Sequence, residues 1–173
     1  MIPLPIHPGN IRPATEKDAE DIARVHHSAV HGLPSPSHPQ DVLDAWSPEP
    51  GEVRFQQFRR AIGEGKELFL VAEAPSGIVG FGSIVPTLNE LRALYVDAQV
   101  AHQGVGSAIL VELEALAVSA GCSELQMHAS VNAEGFYKRY GYVSRERGMH
   151  KLAGGLEMPY VQMSKSLSLR LDT

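Results

Sequence analysis

The centre of the chain reads Glu90-Leu-Arg-Ala-Leu-Tyr-Val96, followed by Asp97-Ala-Gln-Val-Ala-His-Gln-Gly-Val-Gly-Ser107. The apolar first part is typical of a strand, and the two glycines of the second part open a long amphipathic helix. Glycine lets backbone N–H groups converge on a ligand, and the N-terminal end of a helix carries a partial positive charge. The stretch therefore predicts a strand, a loop and a helix that bind a diphosphate, although a structural glycine turn explains the loop equally well.

The glycine loop differs from the better-known phosphate-binding loops. It lacks the third glycine of a dinucleotide fingerprint and the Gly-Lys-Ser/Thr ending of a P-loop. A Gly-x-Ser-x-Gly elbow does not occur in the chain either, which argues against a serine hydrolase.

Upstream of the loop, the sequence predicts four strands and three helical segments. Thr15 and Asp18 resemble a capping box, and apolar residues recur behind them at helical spacing. Five prolines interrupt residues 32–51, so one regular element cannot span them. The predicted segments are strand 10–14, helix 15–31, helical turn 41–46, helix 53–62, and strands 68–73, 78–85 and 91–96.

Downstream, the pattern predicts helix 104–120, strand 125–131, helix 133–140, and closing strands 142–150 and 158–164. A meander of strands followed by a strand–helix–strand unit gives an α/β (α+β) fold, a mixed sheet with helices on both faces. No repeat or linker divides the chain, so we expect a single domain over residues 1–173. Residues 1–9 carry three prolines and are expected to form an irregular tail.

A second informative segment reads Ser130-Val-Asn-Ala-Glu-Gly-Phe-Tyr-Lys-Arg-Tyr-Gly-Tyr142. Asn132 is suited to cap the short helix and to offer its amide to a ligand. The phenol of Tyr137 is suited to protonate a leaving thiolate. Taken alone, Tyr137 is also explained as a core residue, because three other aromatic residues crowd around it.

Together, the two segments resemble the GNAT superfamily of N-acetyltransferases. The first matches the family motif Arg/Gln-x-x-Gly-x-Gly/Ala at Gly104 and Gly106, but has Ala101 where the family has Arg or Gln. The second matches Asn-x-x-x-x-Phe/Leu-Tyr-x-x-x-Gly-Phe/Tyr at Asn132, Tyr137 and Gly141. The resemblance covers about residues 11–167.

The resemblance implies a mostly antiparallel central sheet of about seven strands and acetyl-CoA as co-substrate. It also implies direct transfer of the acetyl group to an amine, without an acyl-enzyme. The loop binds phosphates mainly through backbone amides, so Ala101 is expected to weaken CoA binding rather than to abolish it. The implied cofactor-binding residues are Leu94, Tyr95, Val96, Ala101, His102, Gln103, Gly104, Val105, Gly106, Ser107, Asn132 and Tyr137.

The same resemblance assigns the chemistry. Tyr137 is the expected acid, and Glu90 is the expected base because it lies eleven residues before Ala101, the register of a glutamate base in the histone-acetyltransferase branch. His150 and Glu157 are weaker alternatives for the base. Trp46, Glu90 and His150 are expected to contact the acceptor. Trp46 serves equally well as an anchor of its loop.

Further side chains receive a structural interpretation. Lys138 and Arg139 are more readily explained by a solvated helix face than by a CoA phosphate. His26 is expected in the core, and the spacing of His27 and His31 is a weak metal signal without an acidic partner. The single cysteine, Cys122, is expected to be a small buried residue, and no metal is expected.

The whole-chain composition limits the partners. A net charge of −5 gives no basic footprint for nucleic acid. No leader or membrane-spanning apolar run is visible, so we expect a cytoplasmic protein with no membrane partner. The expected partner is a small-molecule amine, and a homodimer is compatible with the sequence. A protein-lysine or N-terminal acetyltransferase and a non-catalytic acyl-CoA sensor remain the alternatives.

Overall fold

The computed structural model describes residues 10–32 and 37–168. The irregular tail predicted for residues 1–9 lies outside the described residues, as do residues 33–36 of the proline-rich segment and residues 169–173. Within the described ranges, the chain forms seven strands and five α-helices joined by short turns.

All seven strands belong to one sheet. They are β1 (Ile11–Pro13), β2 (Leu68–Ala74), β3 (Gly77–Val85), β4 (Glu90–Val96), β5 (Glu124–Ser130), β6 (Val143–Lys151) and β7 (Glu157–Ser166). Their order across the sheet is β1-β2-β3-β4-β5-β7-β6. Every neighbouring pair is antiparallel except β4 and β5, which run parallel. The predicted mixed, mostly antiparallel sheet of about seven strands is confirmed.

The five helices are α1 (Ala19–Gly32), α2 (Gln40–Trp46), α3 (Glu52–Glu64), α4 (Val105–Ser119) and α5 (Glu134–Arg139). The first helix begins about one turn later than predicted, because residues 16–18 form a 3-10 turn. The backbone N–H of Thr15 donates to Asp18 Oδ2 at 2.7 Å and fixes the start of this turn. The predicted helical turn at residues 41–46 is a full helix, α2. The other predicted ends lie within two residues of those observed.

Two apolar cores lie on the two faces of the sheet. On one face α4 packs through Ile109 and Leu113, and on the other α1 packs through Ile22 and Val25. Each fully buried side chain of this size stabilises the fold by roughly 1.5–3 kcal/mol. Gly82 of β3 allows the close approach of α4, because a Cβ there would overlap the side chain of Leu113.

The parallel pair β4 and β5 is the irregular part of the sheet. Their ladder contains the pair Glu90 and Gln126, together with a hydrogen bond of 2.8 Å from Gln126 N–H to the carbonyl of Asn89. Beyond this point the two strands separate towards their carboxyl ends. The sheet therefore opens at its centre, between the N-terminus of α4 and the strands that close the fold. Among the described residues, no helix is both long and apolar enough to span a membrane.

Candidate functional site

Two cavities occupy the opening between β4 and β5. The larger cavity has a volume of about 660 Å³ and the smaller cavity about 400 Å³. They share part of their walls, so a molecule that extends from one to the other passes a common junction. The shared residues are Trp46, Leu94, Tyr95, Ser130, Ala133 and Tyr137.

The larger cavity begins at the N-terminus of α4. The first amides of an α-helix have no partner within the helix and point outward along its axis. Gly104 precedes the helix with φ +85°, a left-handed conformation that glycine adopts without strain, and a side chain there would stand in open space. The arrangement fits a diphosphate held by backbone N–H groups and the helix dipole.

Most of the predicted cofactor-binding residues line this larger cavity. Gln103 does not. Asp97, the residue after β4, is not part of this wall. Its carboxylate accepts hydrogen bonds from Ser28 Oγ at 3.0 Å and from the amide of Gln99 at 2.9 Å. The predicted residues in the wall are Leu94, Tyr95, Val96, Ala101, His102, Gly104, Val105, Gly106, Ser107, Asn132 and Tyr137.

The two cations of α5 differ from each other. Lys138 pairs with Glu134 at 3.1 Å and is exposed, as the solvated-face interpretation predicts. Arg139 lines the larger cavity beside the ring of Phe136. Arg139 therefore places a cation in the wall of a cavity whose loop carries Ala101, and His102 lies in the same wall.

Tyr137 lies at the junction of the two cavities. Its side chain is buried, and its ring packs against Phe136 and Tyr142 at centroid distances of 5.1 and 5.5 Å. Burial raises the pKa of the Tyr137 phenol well above its usual value. Tyr137 is thus both a packed core residue and a cavity residue, and its O–H stays protonated at neutral pH.

Strand β4 is bulged where it faces the smaller cavity. Ser83 of β3 pairs with Ala93, whereas the next residue, Ile84, pairs with Leu91, so Arg92 is the extra residue. A bulge re-aims side chains and interrupts the ladder. Because β5 has already separated from β4 here, backbone groups of β4 face the cavities.

Glu90 lines the smaller cavity, but its carboxylate is bound by the guanidinium of Arg92. Arg92 Nε lies 3.1 Å from Glu90 Oε1, and Arg92 Nη2 lies 2.8 Å from Glu90 Oε2. Arg92 also reaches Glu67 Oε2 at 3.6 Å. These hydrogen bonds and charges raise the pKa of Arg92. The predicted base therefore has both oxygens engaged by a cation.

Trp46 is both a cavity wall and an anchor. It lines both cavities, and its ring lies edge-on to that of Tyr95 at a centroid distance of 6.2 Å. Burial raises the pKa of Tyr95 to about 12. The next residue, Ser47, is buried and bound by α1: its hydroxyl lies 2.7 Å from His26 Nδ1, and its carbonyl oxygen lies 2.7 Å from His31 Nε2. Trp46 therefore lines the cavities and anchors its loop at the same time.

The three histidines of α1 contact Ser47. His27 Nδ1 lies 3.2 Å from the Ser47 carbonyl oxygen, beside the contact from His31. His26 is buried as predicted, and its pKa is lowered to about 3, chiefly by burial. In residues 10–32 and 37–168, no group of three or more histidine, cysteine or acidic residues is arranged to hold a metal ion.

Three aromatic rings line the far wall of the smaller cavity, and the sequence analysis predicted one of them as a site residue. His150 is the predicted substrate residue, and beside it lie His128 of β5 and Tyr160 of β7. Glu157, the other alternative base, lies outside the walls of both cavities. The sequence signal that would have indicated His128 is the alternation of side chains along β5. Met127 and Ala129 are buried on one face of the strand, and His128 points to the opposite face.

Cys122 lies far from these rings. It is buried at the junction between α4 and β5, with its Sγ 3.7 Å from the carbonyl oxygen of Pro86. This position agrees with the small buried residue expected from the sequence.

Residues 38–167 match the family model described as an acetyltransferase (GNAT) domain. A GCN5-related N-acetyltransferase from Rhodopseudomonas palustris superposes with a TM-score of 0.81 at 26% identity, over 96% of this chain and 99% of that one. The PaiA N-acetyltransferase of Thermoplasma acidophilum in complex with coenzyme A gives 0.71 at 21% identity, over 90% and 97% of the two chains.

A ribosomal-protein-alanine N-acetyltransferase from Brucella melitensis superposes with a TM-score of 0.68 at 20% identity, over 91% of this chain and 99% of that one. At this identity the similarity concerns the fold. A comparison with curated protein sequences gives no match.

Proposed function

The chain belongs to the GNAT family of acetyltransferases, and we propose that its donor is acetyl-CoA and its acceptor the primary amine of a small molecule. Acetyl transfer follows from the family, whereas the donor and the acceptor class are proposed. The observation that carries the proposal is the junction of the two cavities at Tyr137, with the N-terminus of α4 at the far end of the larger one.

The larger cavity supports a CoA donor. Its helix N-terminus and glycine loop suit a diphosphate, and Arg139 adds a cationic side chain nearby. The opened edge of β4 offers backbone groups to an extended amide-containing arm such as pantetheine. The reactive thioester would then lie near the junction, within the reach of Tyr137.

The residues of the junction support direct transfer. A bond forms between the amine nitrogen and the acetyl carbon, and the carbon–sulfur bond breaks, so the amine loses a proton and the sulfur gains one. Tyr137 supplies the proton to sulfur, because burial keeps its phenol protonated. Backbone N–H groups of the bulged strand β4 are suited to stabilise the developing oxyanion.

The size of the smaller cavity supports a small acceptor. A volume of about 400 Å³ lies within the range of small-molecule sites, roughly 300–1,000 Å³. Rings of Trp46, His150 and Tyr160 enclose it from two sides. Such walls favour a compact amine over a lysine carried on a protein surface.

The proposal is tested first by calorimetric titration with acetyl-CoA of the wild-type protein and of Gly104→Glu. The added carboxylate would lie at the diphosphate end of the larger cavity, so we expect micromolar binding to weaken by at least about a hundredfold, or about 2.7 kcal/mol. Gly65→Glu is the matched control. Gly65 also has a positive φ, +69°, and open space around it, but it ends α3 away from both cavities.

A panel of small amines and lysine peptides then tests the acceptor by release of free thiol from acetyl-CoA. Turnover of small amines supports the proposal, and turnover confined to peptides supports the protein acetyltransferase instead. Acetyl-CoA binding without turnover of either class identifies a sensor. No binding by the wild-type protein at millimolar acetyl-CoA contradicts the proposed donor.

A further inference from the structure

Three aromatic side chains form a stack on the far wall of the smaller cavity. The rings of His128 and Tyr160 lie 4.0 Å apart and 14° from parallel. His150 contacts both, with its ring centroid 5.1 Å from that of His128 and 4.3 Å from that of Tyr160. The three residues come from β5, β7 and β6, so the sheet order brings them together. We call them the ring stack.

Packing between strands fixes the geometry of the ring stack. Tyr160 of β7 is paired with Gly148 of β6, and a Cβ at residue 148 would overlap the tyrosine ring. The glycine therefore lets the ring of Tyr160 lie across β6. From this position the flat face of Tyr160 supports the imidazole of His128.

His128 lies at the start of the opening between the two parallel strands. Glu90 of β4 pairs with Gln126 of β5, and His128 follows two residues later on the same face of β5. His128 lines the smaller cavity together with Tyr137. An acceptor amine in this cavity would therefore have a phenol and an imidazole within the same enclosure.

We propose that His128 is the general base that deprotonates the acceptor ammonium, and that Tyr160 and His150 are its positioning residues. The inference rests on the proposed function, since it concerns the acceptor amine of that reaction. It differs from the sequence prediction, which gives this role to Glu90 and names His150 only as an alternative.

Charge distinguishes His128 from Glu90. Both oxygens of Glu90 accept hydrogen bonds from Arg92, so a proton taken up there would weaken a bidentate ion pair. An imidazole gains and loses a proton near neutral pH, where base catalysis is most effective. The charged residues Glu90, Arg92 and Lys151 line the same cavity as His128.

The three residues of the ring stack have different roles in this proposal. Burial, together with the charge of His128, lowers the pKa of His150, so His150 stays neutral while its neighbour takes up the proton. A cation over the face of Tyr160 is stabilised by the ring. His128 is exposed, which lets the proton pass from its imidazole to solvent.

Two protons leave the acceptor nitrogen during the transfer. His128 removes one proton from the ammonium, and the freed lone pair forms the C–N bond to the acetyl carbon. The C–S bond breaks as Tyr137 donates its proton to sulfur, and the second proton of the attacking nitrogen restores the phenol. The products are the amide, the CoA thiol and one proton released from His128.

The test compares His128→Gln with Glu90→Gln on two acceptors from the same panel, the best alkylamine and O-methylhydroxylamine. The alkylamine is protonated at neutral pH and needs a base, whereas O-methylhydroxylamine is already neutral. We expect His128→Gln to lower kcat/KM for the alkylamine about a hundredfold and to lower it much less for O-methylhydroxylamine. In the variant the rate with the alkylamine should rise with pH towards the pKa of the free amine, because only the neutral amine then reacts, whereas the rate with O-methylhydroxylamine should not follow this rise.

Controls separate the base from its surroundings. Tyr160→Phe keeps the ring and should retain activity. Tyr160→Leu removes the ring and should lower kcat more than it raises KM. Glu124 is an exposed residue at the start of β5, so Glu124→Gln should act as wild type. If wild-type protein acetylates the alkylamine and His128→Gln does so equally well, or if both acceptors lose rate equally, the inference is wrong. If the wild-type protein acetylates no amine, the proposed function itself fails.

Discussion

The larger and the smaller cavity meet at Tyr137 but are built in different ways. The larger one contains the glycine loop, the N-terminus of α4 and the opened edge of β4, which are local backbone features. The smaller one brings together rings and charged side chains from β4, β5, β6 and β7. The contrast fits a donor that many enzymes share on one side and an acceptor particular to this chain on the other.

The largest effect that would sharpen this contrast is expected at the junction. Tyr137→Phe removes the proposed proton donor but keeps the ring among Phe136 and Tyr142. We expect kcat to fall roughly a hundredfold, because the thiolate leaves unprotonated. The Kd for acetyl-CoA from calorimetry should stay within a factor of about two. Equal losses in kcat and in acetyl-CoA affinity would show instead that the hydroxyl serves binding.

An intermediate effect is expected behind the shared wall, at His26, which contacts Ser47, the residue after Trp46. The pKa of His26 is lowered from 6.5 to about 3 in the folded chain, so below pH 6.5 the unfolded chain binds a proton that the folded chain does not. Its contribution to stability is present above pH 6.5 and is lost as the pH falls towards 3, by about 1.4 kcal/mol per pH unit.

Urea unfolding at pH 7 and pH 5 measures this loss. His26→Asn keeps a polar partner for Ser47 Oγ but removes the titrating group, so its unfolding free energy should change less between the two pH values than that of the wild type. An equal change in both proteins would mean that other groups carry the acid sensitivity. The backbone amides at the N-terminus of α4 do not titrate, which is the contrast with the larger cavity.

The smallest effect is expected at the position where the loop departs from its family. Ala101→Arg adds a cation to the wall of the larger cavity, and a solvent-exposed charge pair contributes about 0.2–1 kcal/mol. Affinity for acetyl-CoA should therefore rise up to about fivefold, and the gain should diminish in high salt. Ala101→Gln is the uncharged control. A gain that is insensitive to salt would point to loop packing rather than charge.

The sequence predicted the sheet well because local periodicity and turn residues reflect it. All seven strands and the five helices were found at nearly their observed ends, and the fold class is confirmed. Element ends shifted where side-chain capping competes with the helix, as at the 3-10 turn after Thr15. The GNAT resemblance, now shown by the family model, was visible because its two motifs are continuous in the sequence.

The acceptor side was less predictable from the same sequence. Glu90 and Arg92 lie two residues apart in the sequence, but the bidentate contact between their side chains is seen only in the structure. Likewise, His128 and Tyr160 are far apart in the chain and meet only because β5 pairs with β7. Their roles remain predictions for the experiments described above.

By itself, the sequence determined the order of the elements, the glycine loop at the N-terminus of α4 and the helix that carries Tyr137, because each is a local property of consecutive residues. Only the tertiary structure decided which side chains enclose the smaller cavity and where two histidines share a wall. The physical reason is that the charge and orientation of a side chain in a cavity are set by neighbours from other strands. Those neighbours are fixed by sheet order and strand register.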